Sequence, residues 1–194
     1  MTELVCLLEE PSAQAMLEGL LPRILPASIT VRYIVFEGKQ DLDKQLVRRL
    51  RCYLVPTAKF VILRDKDGAD CHEVKKVLQQ KCKEANKQDA LIRIACHEIE
   101  SWYLADLQAV ETGIDIKNLA KKQSAAKYRN TDRVANAADE LKRLTSGIYQ
   151  KVGGSRSIGP HLDLSNTRSQ SFAVFVSGLR KIFPLQQDSP HSPA

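Results

Sequence analysis

The sequence predicts an α/β fold: a parallel four-stranded sheet flanked by helices, followed by a helical C-terminal extension. Three observations lead there. Apolar, β-branched runs alternate with amphipathic helical segments through roughly the first hundred residues. Each run is followed by a segment long enough to cross back as a helix, which makes the strands parallel and the crossovers right-handed. After about residue 105 the alternation stops and helical spacing takes over.

The elements follow in order. Leu4 to Leu8 is an apolar run that stops at Glu9-Glu10-Pro11-Ser12. Ser12 is suited to cap a helix running to about Ile24, with Met16, Leu17, Leu20 and Leu21 at helical spacing and Pro26 ending it. Ile29 to Phe36, rich in β-branched and aromatic residues, reads as the second strand. Asp41 to Tyr53 places Leu42, Leu46 and Leu50 on one helical face. Phe60 to Leu63 is the third strand, Cys71 to Ala85 a charged amphipathic helix, and Leu91 to Ala95 the fourth strand. Residues 106–145 read as helical, with a start at Asn136; residues 146–168, rich in Gly and Ser, read as an extended loop. Ser169 to Phe183 carries Phe172, Phe175, Val176, Leu179 and Ile182 at helical spacing. The expected division is an α/β core over 1–105, a helical and loop extension over 106–184 packing on that core, and a disordered tail over 185–194.

Bulk properties narrow the class. The chain has 194 residues, 43% of them hydrophobic, enough to bury a real core. It has no apolar stretch near roughly 18 residues and no charged-then-apolar leader, so a cytoplasmic location without a membrane is expected. Five cysteines without CxxC spacing argue against a disulfide framework. The net charge of +6 is unevenly placed: residues 117–156 hold ten Lys/Arg against three acids, and the remainder holds 19 basic against 20 acidic residues. A basic extension beside a charge-balanced core suits an anionic polymer; a solvated helical surface is the alternative.

The chemistry concentrates at strand ends, where open α/β sheets form their ligand crevice. Glu9 follows the first strand, Asp65-Lys66-Asp67 the third, and His97-Glu98-Ile99-Glu100 the fourth. Carboxylates gathered there repel one another unless a cation sits among them, and a hard divalent cation takes oxygen ligands. Extended backbone would put Asp65 and Asp67 on one face, roughly 6 to 7 Å apart. The same segment also reads as an ordinary polar turn. An EF-hand fails on spacing, and a phosphoacceptor receiver would need a lysine after a fifth strand. If a helix starts at His97, Glu98 and Glu100 diverge by about 200°; Glu98, nearer the strand end, is then preferred to Glu100. Lys39, after Glu37-Gly38, and Lys151 and Arg156, flanking Gly153-Gly154, are candidate phosphate clamps, with solvated loop charges as the alternative.

These residues resemble a known family. Glu9-Glu10-Pro11-Ser12, Phe36-Glu37-Gly38-Lys39, Leu63-Arg64-Asp65-Lys66-Asp67 and Ala95-Cys96-His97-Glu98-Ile99-Glu100-Ser101-Trp102-Tyr103-Leu104 look like an uncharacterised bacterial TOPRIM-like family. It is related to the TOPRIM domains of overcoming-lysogenization-defect nucleases. Tyr149-Gln150-Lys151-Val152 and Asn166 to Phe172 extend the resemblance over nearly the whole chain. It implies a TOPRIM-like, Rossmann-like sheet and Mg²⁺- or Mn²⁺-dependent nuclease activity on nucleic acid. The implied catalytic set is Glu9, Asp65, Asp67 and Lys39; the metal set is Glu9, Asp65, Asp67, Glu98 and Glu100; nucleic acid would be held by Lys39, Lys151 and Arg156. The departure is Glu10, where many TOPRIM domains have glycine, which puts nuclease activity in question more than metal binding. The implied partners are nucleic acid, a separately encoded ATPase in a phage-defence setting and, in a homodimer, a second copy. The chain has no P-loop GxxxxGK[ST], so any ATP hydrolysis comes from elsewhere. A non-catalytic nucleic-acid or ATPase-binding module is the alternative.

Overall fold

A computed structural model describes residues 2–184. The expected tail over 185–194 lies outside the described residues. The chain folds as β1 (Glu3–Leu8), α1 (Pro11–Leu20), β2 (Thr30–Val35), α2 (Lys39–Arg51), β3 (Ala58–Asp65), α3 (Cys71–Glu84) and β4 (Leu91–Ala95). The helices α4 (Glu100–Leu104), α5 (Leu107–Gly113), α6 (Ala137–Leu144), α7 (Lys151–Ile158) and α8 (Gln170–Ile182) follow. All three strand pairings are parallel, in the order β2-β1-β3-β4. This is the expected α/β arrangement, a parallel four-stranded sheet of Rossmann type flanked by helices.

Alternation along β1 decides how the layers form. Leu4, Cys6 and Leu8 face a core shared with α1, α4, α5, α6 and α8, whereas Val5 and Leu7 face one shared with α2 and α3. Residues after position 105 therefore join the same apolar cluster as one face of the sheet. Trp102 anchors it: its ring stacks 5.2 Å from both Phe172 and Phe175, and its indole N–H donates to Ser171 Oγ at 2.8 Å. Among the described residues, no helix is long and apolar enough to cross a membrane.

Three local expectations are corrected. α1 begins at Pro11 with Glu10 as its N-cap residue and passes at Leu21 into a 3₁₀ turn. Ser12 lies inside it, buried, and donates to Glu10 Oε1 at 2.5 Å. Residues 106–145 are not uniformly helical: α5 and α6 are separated by three 3₁₀ turns, Ala120–Ser124, Ala126–Tyr128 and Thr131–Arg133. The segment expected as an extended loop contains α7 and a 3₁₀ turn, Gly159–His161. Glycine lowers helix propensity, but at Gly159 it serves a close approach. A Cβ there would sit 2.4 Å from the Met16 carbonyl oxygen, so only glycine lets this segment pack directly on α1.

Candidate functional site

The strand order reverses direction at β1: the chain leaves β1 for β2 on one side and reaches β3 on the other. In open α/β sheets the crevice at such a switch point, outside the carboxyl ends of the strands, is where ligands bind. Glu9 and Asp65 stand there, at the ends of neighbouring strands whose register pairs Leu8 with Leu63. The Glu9 Oε2 atom accepts the Asp65 backbone N–H at 3.1 Å. Backbone bonds from Gly38 N–H to the Glu9 carbonyl and from Lys66 N–H to the Ala95 carbonyl, both 2.9 Å, hold the adjoining loops to the sheet.

Four acids, Glu9, Glu10, Asp65 and Glu100, lie within electrostatic reach of one another around this point. Asp65 is buried at 8% exposure, and no described residue donates a hydrogen bond to its carboxylate. Glu10 accepts Lys151 Nζ at 2.7 Å through its other oxygen. Glu100, at the start of α4, is wholly buried; Tyr149 Oη donates to its Oε1 at 2.9 Å, and its Oε2 has no partner. Burial, then the charges of Glu10, Glu100 and Glu9, push the Asp65 carboxyl well above the usual carboxylate range, with Lys151 opposing. Burial also raises Glu9 and Glu100.

A second group lies beside the first. Asp67 accepts Lys39 Nζ at 2.7 Å. The expected extended Asp65-Lys66-Asp67 face does not form, because Asp67 sits at φ +52° and its N–H bonds the His97 carbonyl. Arg64 Nη1 donates to both Asp43 oxygens at 2.9 and 3.0 Å, while the buried Nε, 3.9 Å from Glu9 Oε2, has no hydrogen-bond partner.

The preference for Glu98 over Glu100 is overturned. His97 adopts φ +63°, turning the chain sharply after β4. Glu98 Oε2 then accepts the Ala138 N–H at 2.9 Å, at the start of α6, and Glu100 takes the buried position facing Asp65. Arg156 stands 4.0 Å from Glu18 on α1, in contact with none of the crevice acids. Glu10, noted in the sequence as a departure from the family's glycine, lies in the crevice, as do Arg64 and Tyr149, which sequence reasoning misses. Adjacency to Glu9 was a usable signal for Glu10, but the Tyr149–Glu100 bond spans 49 positions and no spacing rule reveals it.

Among the described residues no three His, Cys, Asp or Glu side chains stand close enough together to hold a metal ion as placed. The donor chemistry nevertheless suits a hard divalent cation: the set is all carboxylate oxygen, and the buried Glu100 Oε2 is unpartnered. Lys39 pairs with Asp67, one of the acids a cation would use, and Lys151 with the neighbouring Glu10.

Fold and site together define an α/β protein with an acidic crevice at the switch point of a parallel sheet. The chain belongs to the family described as a domain of unknown function, DUF4276, whose model matches residues 8–180. None of the curated proteins matches it. Among solved structures it is similar to the C-terminal region of the Xanthomonas campestris pv. campestris OLD protein, at 17% identity and a TM-score of 0.47, covering 94% of this chain and 96% of that one.

Proposed function

We propose that this chain is a metal-dependent nuclease of TOPRIM type, hydrolysing phosphodiester bonds of nucleic acid with Mg²⁺ or Mn²⁺ held by Glu9, Asp65, Asp67 and Glu100. The observation that carries the reading is the Glu9 carboxylate resting on the Asp65 N–H, which joins acids from two strand ends in one crevice. A bound cation neutralises phosphate charge and acidifies a water. Tyr149 orients Glu100, and the Asp65 N–H orients Glu9. Lys39 and Lys151, each half exposed, reach the crevice from helices on opposite faces of the sheet, and in this reading they hold phosphate oxygens. In this reading the partners are nucleic acid and a separately encoded ATPase, acting in phage defence.

The test uses purified full-length protein with Mg²⁺ or Mn²⁺ and plasmid, single-stranded DNA or tRNA. Cleavage is expected to require the cation and to be lost in Glu9→Gln and Asp65→Ala. Cleavage persisting in both variants comes from a contaminant and removes the assignment.

One observation favours a second reading, a non-catalytic nucleic-acid or ATPase-binding module: Lys39 and Lys151 already neutralise Asp67 and Glu10 without an ion. That reading expects salt-sensitive, metal-independent nucleic-acid binding unchanged by Asp67→Ala. Loss of the binding in Asp67→Ala counts against it.

A further inference from the structure

We propose that Lys39 and Lys151 are exchangeable internal counter-ions: a divalent cation entering the crevice displaces both ammonium groups from Asp67 and Glu10 and thereby frees them to grip phosphate. The inference rests on the metal-dependent reading and adds an order of events to it.

The two lysines are built alike. Each is the first residue of its helix, Lys39 of α2 and Lys151 of α7, and each places Nζ 2.7 Å from one carboxylate oxygen. Their side chains are 50% and 46% exposed, so either ammonium can swing into water without a large loss of packing. The acids they leave behind remain held: Glu10 by Ser12 Oγ, and Asp67 through its backbone bond to His97. Arg64, by contrast, is a fixed charge, its Nη1 bonded to Asp43 and its side chain only 11% exposed.

Charge sets the direction of the exchange. Both pairs leave Glu9, Asp65 and Glu100 without a lysine partner among the described residues, so carboxyl groups remain in the crevice to meet a cation. A divalent cation beside the same carboxylates repels an ammonium in hydrogen-bond contact with them. The lysine stems then turn outward at the crevice mouth, one from each face of the sheet, with their charge unspent. A phosphodiester backbone is the polyanion that two such point charges suit. Cation and nucleic acid should therefore bind with positive coupling, each tightening the other by the same factor.

Calorimetric titration of Mn²⁺ into the full-length protein tests this without any catalytic readout. Removing an internal competitor should make Lys39→Met and Lys151→Met bind Mn²⁺ tighter than wild type, each by roughly fivefold. The charge-preserving Lys151→Arg should stay near the wild-type value, and circular dichroism checks that each variant is folded; Lys151→Gln serves as a second neutral variant. Wild type binding Mn²⁺ while the neutral variants bind it no tighter overturns the exchange and leaves the metal reading standing. No Mn²⁺ binding by wild type or by any variant removes the metal reading, and the exchange with it.

Discussion

Asp65→Asn is expected to make the metal-free protein more stable at about pH 7.5 while abolishing nuclease activity. Asp65 is buried, takes no hydrogen bond, and is surrounded by Glu9, Glu10 and Glu100. Its folded-state pKa is raised, so the folded protein holds this proton more tightly than the unfolded chain does. Below the ordinary carboxylate range the group is neutral in both states and carries no penalty. As pH rises through that range toward the raised folded value, the unfolded chain ionises first and stability falls. Asparagine removes the falling limb. The gain at neutral pH should be about 1 kcal/mol or more, the scale of relieving an uncompensated buried charge. It should shrink toward zero as pH drops into the ordinary carboxylate range. Urea denaturation at several pH values in EDTA measures this. Adding Mg²⁺ should reverse the ranking, since wild type gains about 2.7 kcal/mol at a ligand concentration 100-fold above Kd. A variant no more stable than wild type in EDTA would show that the buried charge is already compensated.

Gly159→Ala is expected to destabilise the protein by about 1–3 kcal/mol or more, the range for forcing extra volume into a packed contact. The added Cβ would lie 2.4 Å from the Met16 carbonyl oxygen and 3.0 Å from its Cα, both backbone atoms of α1 that cannot rotate away. Relief requires α7 and the following turn to move off α1, and Lys151 moves with them. The variant should therefore also loosen the Lys151–Glu10 pair. Gly153→Ala is the internal control: nothing lies within 4 Å of its Cβ, and it sits within α7. Replacing a helix-interior glycine there should stabilise by about 0.5–1 kcal/mol. Chemical denaturation of the two variants gives opposite signs if α7 packs as described; equal, small effects would contradict it.

The α/β core was legible because its signals are local and repetitive. Leu91–Ala95 was located to the residue, and α3 runs Cys71–Glu84 against an expected Cys71 to Ala85. Spacing within a run and turn residues between runs are enough for that. The nearness of Glu9 and Asp65 was also legible, since a crevice at strand ends follows from the fold class. What was not legible depends on single backbone angles or on remote contacts. His97 at φ +63° exchanged the roles of Glu98 and Glu100, and Asp67 at φ +52° broke the shared face with Asp65. Asp and His enter the left-handed region more readily than most non-glycine residues, but spacing alone does not single out these two positions. α7 was hidden because Gly153 and Gly154 read as loop formers, and Gly159 in the turn after it answers to Met16, 143 positions earlier in the chain. The Lys151–Glu10 pair, 141 positions apart, was hidden for the same reason.

Anomalous scattering from an Mn²⁺-soaked crystal of the full-length protein tests the central claim most directly. The account predicts an ion in the switch-point crevice, within about 2.5 Å of carboxylate oxygens of Glu9 and Asp65, with Lys151 withdrawn from Glu10. Mn²⁺ bound only elsewhere, with Lys151 still on Glu10 and Asp65 unligated, would contradict it.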